Sequence, residues 1–581
     1  MLLARLARNL VALLFAPLRW LLRAAGRPRG DVLWISIRGA ITELPPPART
    51  RLVWLARMLG RLPAPATSLA MLDRLLGHAA KDAALRAIVF AVEPLRGGFA
   101  TAEAVAERVA RARAAGKETI VYLPGGGGNK EMLVAVAADR IFVGPSASVA
   151  LVGLAAESVY LKGLLDKVDV HVEVEARREY KGAAEPLTQT EMSAPQREQL
   201  EALLSGIGGR LVAAVAEGRR LRTSDVEKRM ETMPLRAADA RSIGLIDAVA
   251  YDDQVAGLLG KDGKPARVVS ASRYFAWHEA SYFTPIVQKP VIAIVPVHGA
   301  IVDRVVGFRP PGLPKMVAGS TVVSMLRALR KDPRVIGVVV HVDSRGGSVL
   351  ASDQIHREVV RLRERKPVVA CLGDVAASGG YYVAAPADAI LARPTTITGS
   401  IGVVAARPIL AAALDRLGIR REVVRTHPGA DARSVLRDPT ESERRVLARE
   451  IDGHYDAFKE VVARGRKLSA ERVEELARGR VWSGAAAIEH GLVDRAGGLS
   501  DAVEEVRRRA GPLGASAEPA TASPPRIDVE PPEPLPAEIA AVGVVTDALL
   551  GRLAPGAASL LQLALDGADV VAVAADVPEI R

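Results

Sequence analysis

A serine followed by two glycines is the first feature of this 581-residue chain that could carry chemistry. The run Pro367 to Cys371 has the apolar character of a buried strand, and Ser378-Gly379-Gly380 separates it from the helix-like run Val383 to Ala385. A serine at such a turn projects its hydroxyl near a helix N-terminus, where backbone N–H groups favour developing negative charge. Ser378 could therefore be a nucleophile, although serine is also a common helix N-cap.

Two further glycines stand at the end of a neighbouring predicted strand. The strand Val335 to Val342 leads into Asp343-Ser344-Arg345-Gly346-Gly347-Ser348-Val349. Paired glycines there let the backbone approach a ligand and present N–H groups to it, as an oxyanion hole requires. An ordinary tight turn between a strand and a helix has the same composition. Together with Ser378, however, Gly379 and either Gly346 or Gly347 predict a site for acyl transfer.

The sequence offers two kinds of residue that could act as the base for this serine, histidine and lysine. Of the nine histidines none has an obvious catalytic setting, since His341 lies within an apolar strand and His298 follows one, as core or loop histidines do. A lysine that burial keeps neutral can also take up a hydroxyl proton. Lys181 follows the predicted strand His171 to Glu175 and has small neighbours that leave room around its amine. A lone lysine is more commonly a surface residue.

The elements that position these residues occur twice. Strand-like runs alternate with amphipathic helices, which predicts an α/β fold of parallel sheets covered by helices. The predicted strands are Val32 to Ile37, Ala87 to Val92 and Thr119 to Leu123, with a helix at Thr101 to Ala115, and then Val291 to Val297, Val335 to Val342 and Pro367 to Cys371. One constant offset lays Arg96-Gly97-Gly98 on Arg345-Gly346-Gly347 and Ala138-Asp139 on Ala387-Asp388. We therefore predict a duplicated domain.

The same offset tests the pairing of serine with lysine. The position that corresponds to Ser378 in the first repeat holds Asn129, and the position that corresponds to Lys181 in the second repeat holds Ala430. Each repeat thus keeps the member that the other lacks. This complementarity is expected if duplication allowed the two halves to specialise and share one site.

Charge and composition exclude several classes of protein. The net charge is +12, but basic residues alternate with acidic ones and aromatic residues make up only 4% of the chain, which argues against nucleic-acid binding. The single cysteine, Cys371, excludes an intrachain disulfide framework and a zinc site with several cysteines. We expect neither a metal nor a cofactor.

The first thirty residues are apolar, cationic and free of acidic residues. Their uninterrupted apolar run, Leu10 to Leu18, is too short to cross about 30 Å of hydrocarbon. We expect membrane attachment by a signal anchor or an interfacial helix, with a helix docked on the protein body as the alternative. The expected organisation is a membrane segment (1–30), a repeat with the lysine (31–284), a repeat with the serine (285–510), a Pro/Ala-rich linker (511–537) and a helical tail of unknown role (538–581).

The combined motifs resemble the signal peptide peptidase A family of serine peptidases, peptidase family S49, in its long duplicated form. The resemblance covers about residues 31–510 and is carried by DVAASGGYYVAAPAD around Ser378, by DSRGGSV, by TGSIGV and by REYKGAAEP around Lys181. It implies a Clp-protease/crotonase-like fold, Ser378 as nucleophile, Lys181 as general base, and an oxyanion hole from Gly379 with Gly346 or Gly347. Arg345 departs from the proline usual in the family.

The resemblance also implies a biological setting. The protein would be a homo-oligomer, a tetramer, bound to the bacterial inner membrane with its catalytic body in the periplasm. The substrates would be remnant signal peptides and other short apolar peptides. Two alternatives remain: a crotonase-type acyl-CoA enzyme, which would keep the glycine loops without needing Ser378, and an inactive membrane scaffold.

Overall fold

The computed structural model describes residues 28–44, 67–279, 289–304, 315–522 and 571–573. They belong to two compact units, one formed by residues up to 155 with 205–289, the other by residues 156–204 with those from 290 onward. Residues 156–204 lie in the first repeat by sequence but in the second unit by structure. The segment that carries Lys181 therefore folds with the repeat that carries Ser378.

Helices and strands alternate along the described chain. Up to residue 279 they are β1 (Val32–Ile37), β2 (Ile41–Thr42), β3 (Thr67–Ser68), α1 (Leu69–Lys81), β4 (Ala87–Val92), α2 (Phe99–Ala114), β5 (Glu118–Leu123), β6 (Gly126–Gly127), α3 (Asn129–Ala135), β7 (Arg140–Val143), β8 (Ser148–Val149), α4 (Lys162–Lys167), β9 (His171–Arg177), α5 (Glu185–Thr188), α6 (Ala194–Arg219), α7 (Thr223–Met230), β10 (Leu235–Arg236), α8 (Ala237–Ser242), β11 (Ala248–Val249), α9 (Asp252–Leu258), β12 (Val268–Ser270) and α10 (Ala271–Glu279).

The second half continues the alternation. Its elements are β13 (Val291–His298), β14 (Ala300–Val302), β15 (Met316–Ala318), α11 (Gly319–Lys331), β16 (Val335–Ser344), β17 (Gly346–Ser348), α12 (Val349–Arg363), β18 (Val368–Ala377), α13 (Gly379–Ala384), β19 (Ala389–Ala392), β20 (Ile397–Gly399), β21 (Val403–Ile409), α14 (Ala411–Arg416), α15 (Glu441–Arg466), α16 (Ala470–Leu476), β22 (Val481–Ser483), α17 (Gly484–Glu489), β23 (Arg495–Ala496), α18 (Leu499–Arg509), a 3₁₀ helix (Gly511–Ser516), β24 (Glu518–Thr521) and β25 (Val571–Val573).

The first unit is built on a six-stranded sheet in the order β11-β7-β5-β4-β1-β12, whose strands pair in parallel. Every residue of β4 is buried, as expected of a central strand covered on both faces. The predicted bounds of β1 and β4 are confirmed, and β5 begins one residue earlier than predicted.

The second unit has the same plan. Its main sheet has the order β22-β20-β18-β16-β13-β24, and only β22 on that path runs antiparallel to its neighbour. The α/β class with parallel sheets is therefore confirmed. Strand β18 continues to Ala377, past its predicted end at Cys371, because a bulge near Gly373 does not end the pairing with β16.

A strand from the first repeat completes the second unit. Strand β9 pairs antiparallel with β21 over its full length, from Arg177 opposite Val403 to His171 opposite Ile409. This two-stranded sheet fixes the chain that leads to Lys181 onto the chain that follows Ser378 and Gly399.

Two expectations for the C-terminal region need correction. The linker expected over 511–537 is folded as far as residue 522: it forms the 3₁₀ helix and then β24, which pairs with β13. Pro519 is compatible with a strand there because β24 is at the sheet edge. The tail expected to be helical contains strand β25. Residues 523–570 and 574–581 lie outside the described residues, as does most of the membrane segment expected at 1–30.

Helix α6 is the one described helix long and apolar enough to cross a membrane by length and composition. Its buried residues recur at helical spacing, which is typical of a helix packed on a protein core. Members of this buried stripe are Gln196, Gln199, Leu200, Leu203, Ile207, Leu211 and Val215. The helix is thus weak evidence for a membrane span.

Candidate active site

Ser378 stands at the turn between β18 and α13, the strand-to-helix turn predicted from sequence. Its backbone has φ +54° and ψ −123°, a conformation that costs a non-glycine residue about 1–3 kcal/mol. Two backbone hydrogen bonds hold the turn: the Ser378 N–H donates to the Gly399 carbonyl at 2.9 Å, and the Tyr382 N–H donates to the Ser378 carbonyl at 2.9 Å. The side chain of Ser378 is completely buried.

Lys181 is held by its backbone rather than by a regular element. Its N–H donates to the Arg178 carbonyl at 3.0 Å, and the preceding Tyr180 N–H donates to the Arg478 carbonyl at 3.2 Å. Gly479, with φ +84°, lies so close that a Cβ there would be 2.6 Å from the Lys181 nitrogen. The Lys181 side chain is 5% exposed. The lysine is therefore anchored against the chain before β22.

The amine of Lys181 meets two serines. Its Nζ lies 3.0 Å from Ser378 Oγ, 2.9 Å from Ser400 Oγ and 3.2 Å from the Ser400 carbonyl oxygen. In its neutral form the amine has two N–H donors, which can serve the Ser400 oxygens, and one lone pair, which can accept the Ser378 hydroxyl proton. The arrangement can accept a proton from Ser378.

The predicted glycines also come together. A Cβ on Gly379 would lie 3.3 Å from the Gly347 nitrogen and 3.4 Å from the Gly346 Cα. Gly346 has φ +104° and Gly347 has φ +152°, values that favour glycine. The Gly346 N–H donates to Ser344 Oγ at 3.1 Å. Gly379 and Gly347 are the other two predicted donors, and Gly347 lies in β17 opposite Ile301 of β14 and Ala572 of β25.

In the corresponding region of the first repeat, side chains form hydrogen bonds with the backbone. Asn129, at the position of Ser378, donates to the Gly153 carbonyl at 2.6 Å and accepts from its N–H at 3.2 Å. Glu131 is buried and accepts from the backbone N–H groups of Leu95 at 2.7 Å and Gly128 at 2.9 Å. Ala430, at the position of Lys181, is exposed. At the position of Ser378 the first repeat therefore has a residue with structural hydrogen bonds.

The two histidines considered as bases bond to each other. His298 Nε2 lies 2.7 Å from His341 Nδ1, and burial lowers the pKa of His298 to about 4 and that of His341 well below its usual value. Both histidines therefore have the surroundings of structural residues rather than of a catalytic base. Within the described ranges no three His, Cys, Asp or Glu side chains converge as a metal site requires.

Sequence reasoning missed two residues that shape this site, Ser400 and Gly479. Ser400 lies in the TGSIGV motif, and the first repeat holds Leu151 in its place. The comparison that singled out Ser378 would therefore have marked it. Gly479 has no such signal, because its role depends on the close approach of Lys181 from nearly 300 residues away in sequence.

Comparison with known proteins gives consistent matches. The model of peptidase family S49 matches residues 111–264 and 361–511, one segment in each repeat. The chain is 30% identical over 489 residues to Serine protease SPPA, chloroplastic, from Arabidopsis thaliana. This match covers 83% of this chain and 69% of that protein. The chain is also 32% identical over 375 residues to Protease 4 from Salmonella typhi, and this match covers 63% of this chain and 60% of that protein.

Among solved structures, a ClpP1 mutant from Listeria monocytogenes matches 36% of this chain and 93% of its own, with 16% identity and a TM-score of 0.24. The family match in both halves confirms the duplication. Serine peptidase activity, rather than the acyl-CoA chemistry considered as an alternative, is what the family and its members support. The chain is a member of peptidase family S49, a serine peptidase with two copies of the family's domain.

Proposed function

We propose that the chain hydrolyses peptide bonds with Ser378 as nucleophile and Lys181 as general base. Ser378 Oγ forms a bond to the peptide carbonyl carbon as its proton passes to Lys181 Nζ. The C–N bond then breaks and the amine leaves with the proton from Lys181. In the second half of the reaction, water gives a proton to Lys181 and attacks the acyl carbon, and Ser378 Oγ leaves and takes the proton back. The 3.0 Å separation of Nζ and Oγ is the observation that carries this proposal.

The oxyanion that forms on the carbonyl needs N–H donors, and the backbone groups of Gly379 and Gly347 are proposed to supply them. Gly346, which was equally eligible from sequence, already donates to Ser344. Arg345, which replaces the proline usual in the family, is exposed and leaves the two glycines in place.

The substrate is proposed to bind as an extended strand beside β17. In the structure, β25 occupies this edge: Val571 lies opposite Ser348, Ala572 opposite Gly347 and Val573 opposite Gly346, in antiparallel order. Strand β25 also contacts β21. A backbone that adds to a sheet edge gains main-chain hydrogen bonds whatever its sequence. This suits peptides without a fixed sequence, such as remnant signal peptides and other short apolar peptides.

The setting proposed for this activity follows from the family resemblance and the cationic, apolar residues 1–30. They would attach a homo-oligomer, a tetramer, to the bacterial inner membrane with its body in the periplasm. Fractionation of cells that express the chain with and without residues 1–30, with protease accessibility from the periplasm, tests this setting. Recovery of both forms in the soluble cytoplasmic fraction would contradict it.

Hydrolysis of a fluorogenic apolar peptide tests the chemistry. We expect Ser378→Ala and Lys181→Ala to abolish turnover. The matched control is Lys366→Ala, because Lys366 Nζ likewise donates to backbone carbonyls, those of Leu329 and Asp332, away from Ser378. Full activity of Lys181→Ala would refute the base. An inactive wild type would support the scaffold alternative.

A further inference from the structure

A bulge precedes Ser378 on its strand. Val342 of β16 pairs with Leu372 of β18, but the next pair is Ser344 with Ala376. One residue of β16, Asp343, therefore faces three residues of β18. The bulge bends the strand and advances it by two residues before it reaches Ser378.

The side chain of Asp343 fills this bulge. Its Oδ1 accepts a hydrogen bond from the Val375 N–H at 3.2 Å, a group that the bulge removes from the regular ladder. Gly373 lies directly against the carboxyl, since a Cβ there would be 2.9 Å from Asp343 Cβ and 3.0 Å from Cγ. On the other side, Thr396 Oγ1 donates to the Gly373 carbonyl at 2.8 Å. The bulge is held from both sides by side-chain hydrogen bonds.

Asp343 also belongs to the chain that reaches the glycine loop. Its carbonyl accepts from the Gly299 N–H at 2.9 Å, and Gly346 and Gly347 follow three and four residues later. One residue thus contacts the strand of the proposed nucleophile and begins the loop of the proposed oxyanion donors. A shift of about 1 Å in either the strand of the nucleophile or the loop of the oxyanion donors can cost on the order of 100-fold in rate.

We propose that Asp343 is a positioning residue of the active site, whose carboxyl oxygen holds the β18 bulge and so sets Ser378 against Gly347. This rests on the proposed function of Ser378. The role needs an acceptor at Oδ1, not a negative charge. Burial and the neighbouring Asp374 raise the pKa of the Asp343 carboxyl to about 6, and the Val375 N–H, Lys315 and Arg345 oppose that rise. An uncharged acceptor at this position is therefore expected to serve as well.

Three variants of the full chain test the proposal with the fluorogenic peptide. Asp343→Ala removes the acceptor, and we expect kcat to fall about 10- to 100-fold with KM within about 3-fold. Asp343→Asn keeps the acceptor, and we expect kcat within about 3-fold of wild type. Asp388→Ala is the matched control: Asp388 accepts the Val368 N–H at 2.8 Å at the far end of the same strand, so we expect lower stability with unchanged kcat.

The outcomes separate the alternatives. A fall in kcat for Asp343→Ala no larger than for Asp388→Ala, a change confined to KM, or equal losses in the alanine and asparagine variants would each overturn the proposal. If Asp343→Ala does not fold, Thr396→Val replaces it, with an expected fall in kcat of about 3- to 10-fold from loss of the second clamp. An unchanged kcat in Thr396→Val would then be the contrary result. Failure of the proposed function itself is distinct, because Ser378→Ala would then match wild type.

Discussion

Replacing Gly479 by alanine tests how closely the position of Lys181 controls the reaction. A Cβ at residue 479 would stand 2.6 Å from both the nitrogen and the Cβ of Lys181 and 2.8 Å from its Cα. Ordinary carbon contacts need about 3.5 Å, so the lysine backbone must move by nearly 1 Å. A displacement of this size costs on the order of 100-fold in kcat, equivalent to about 2.7 kcal/mol.

The matched control for this prediction is Gly491→Ala. Gly491 has φ +75°, close to the +84° of Gly479, but the nearest atom to its added Cβ is Leu468 Cδ2 at 3.9 Å. Both variants carry the left-handed strain of about 1–2 kcal/mol, and denaturant unfolding should show it in each. Only Gly479→Ala should lose kcat in the peptide assay. Equal kcat in the two variants would refute the link between this close approach and catalysis.

Three further predictions concern other parts of the second unit and the first repeat. The raised pKa of Asp343 means that the native state keeps a proton that the unfolded state loses. Between about pH 4 and pH 7 the unfolding free energy of wild type, measured by urea denaturation, should therefore fall by about 2 kcal/mol relative to Asp343→Asn. Parallel curves would contradict this. Removal of residues 538–581, and with them β25, should lower KM for added peptides because the edge of β17 is then open; an unchanged or higher KM would show that the tail does not compete. Glu131→Ala should destabilise the chain by about 1–3 kcal/mol by leaving two buried N–H groups unpaired, with kcat unchanged, and loss of kcat at full stability would tie the first repeat to the chemistry.

The sequence singled out Ser378 and Lys181, and the structure places their side chains 3.0 Å apart although 197 residues separate them. Two signals made this possible: the strand-turn-helix pattern around Ser378, and the absence of each residue from the opposite repeat. The regular strands were also predictable, because runs such as Ala87 to Val92 are apolar throughout and such runs form buried parallel strands.

Features that depend on contacts between distant segments were not predictable. The bulge opposite Asp343 extended β18 beyond its expected end, and β24 formed from a Pro-rich segment because the edge of β13 was open to it. The transfer of residues 156–204 to the second unit likewise leaves no local pattern. In each case the determining contact joins segments that are far apart in the chain.

The most direct test of the central claim is the rate at which a fluorophosphonate labels Ser378 in intact protein, followed by mass spectrometry. This reagent reports the activated nucleophile without depending on a peptide sequence. We predict one adduct, on Ser378, with a labelling rate that rises with pH and falls at least about 100-fold in Lys181→Met but not in Lys366→Ala. A labelling rate that is unchanged in Lys181→Met, or an adduct on another residue, would contradict a catalytic pairing of Ser378 with Lys181.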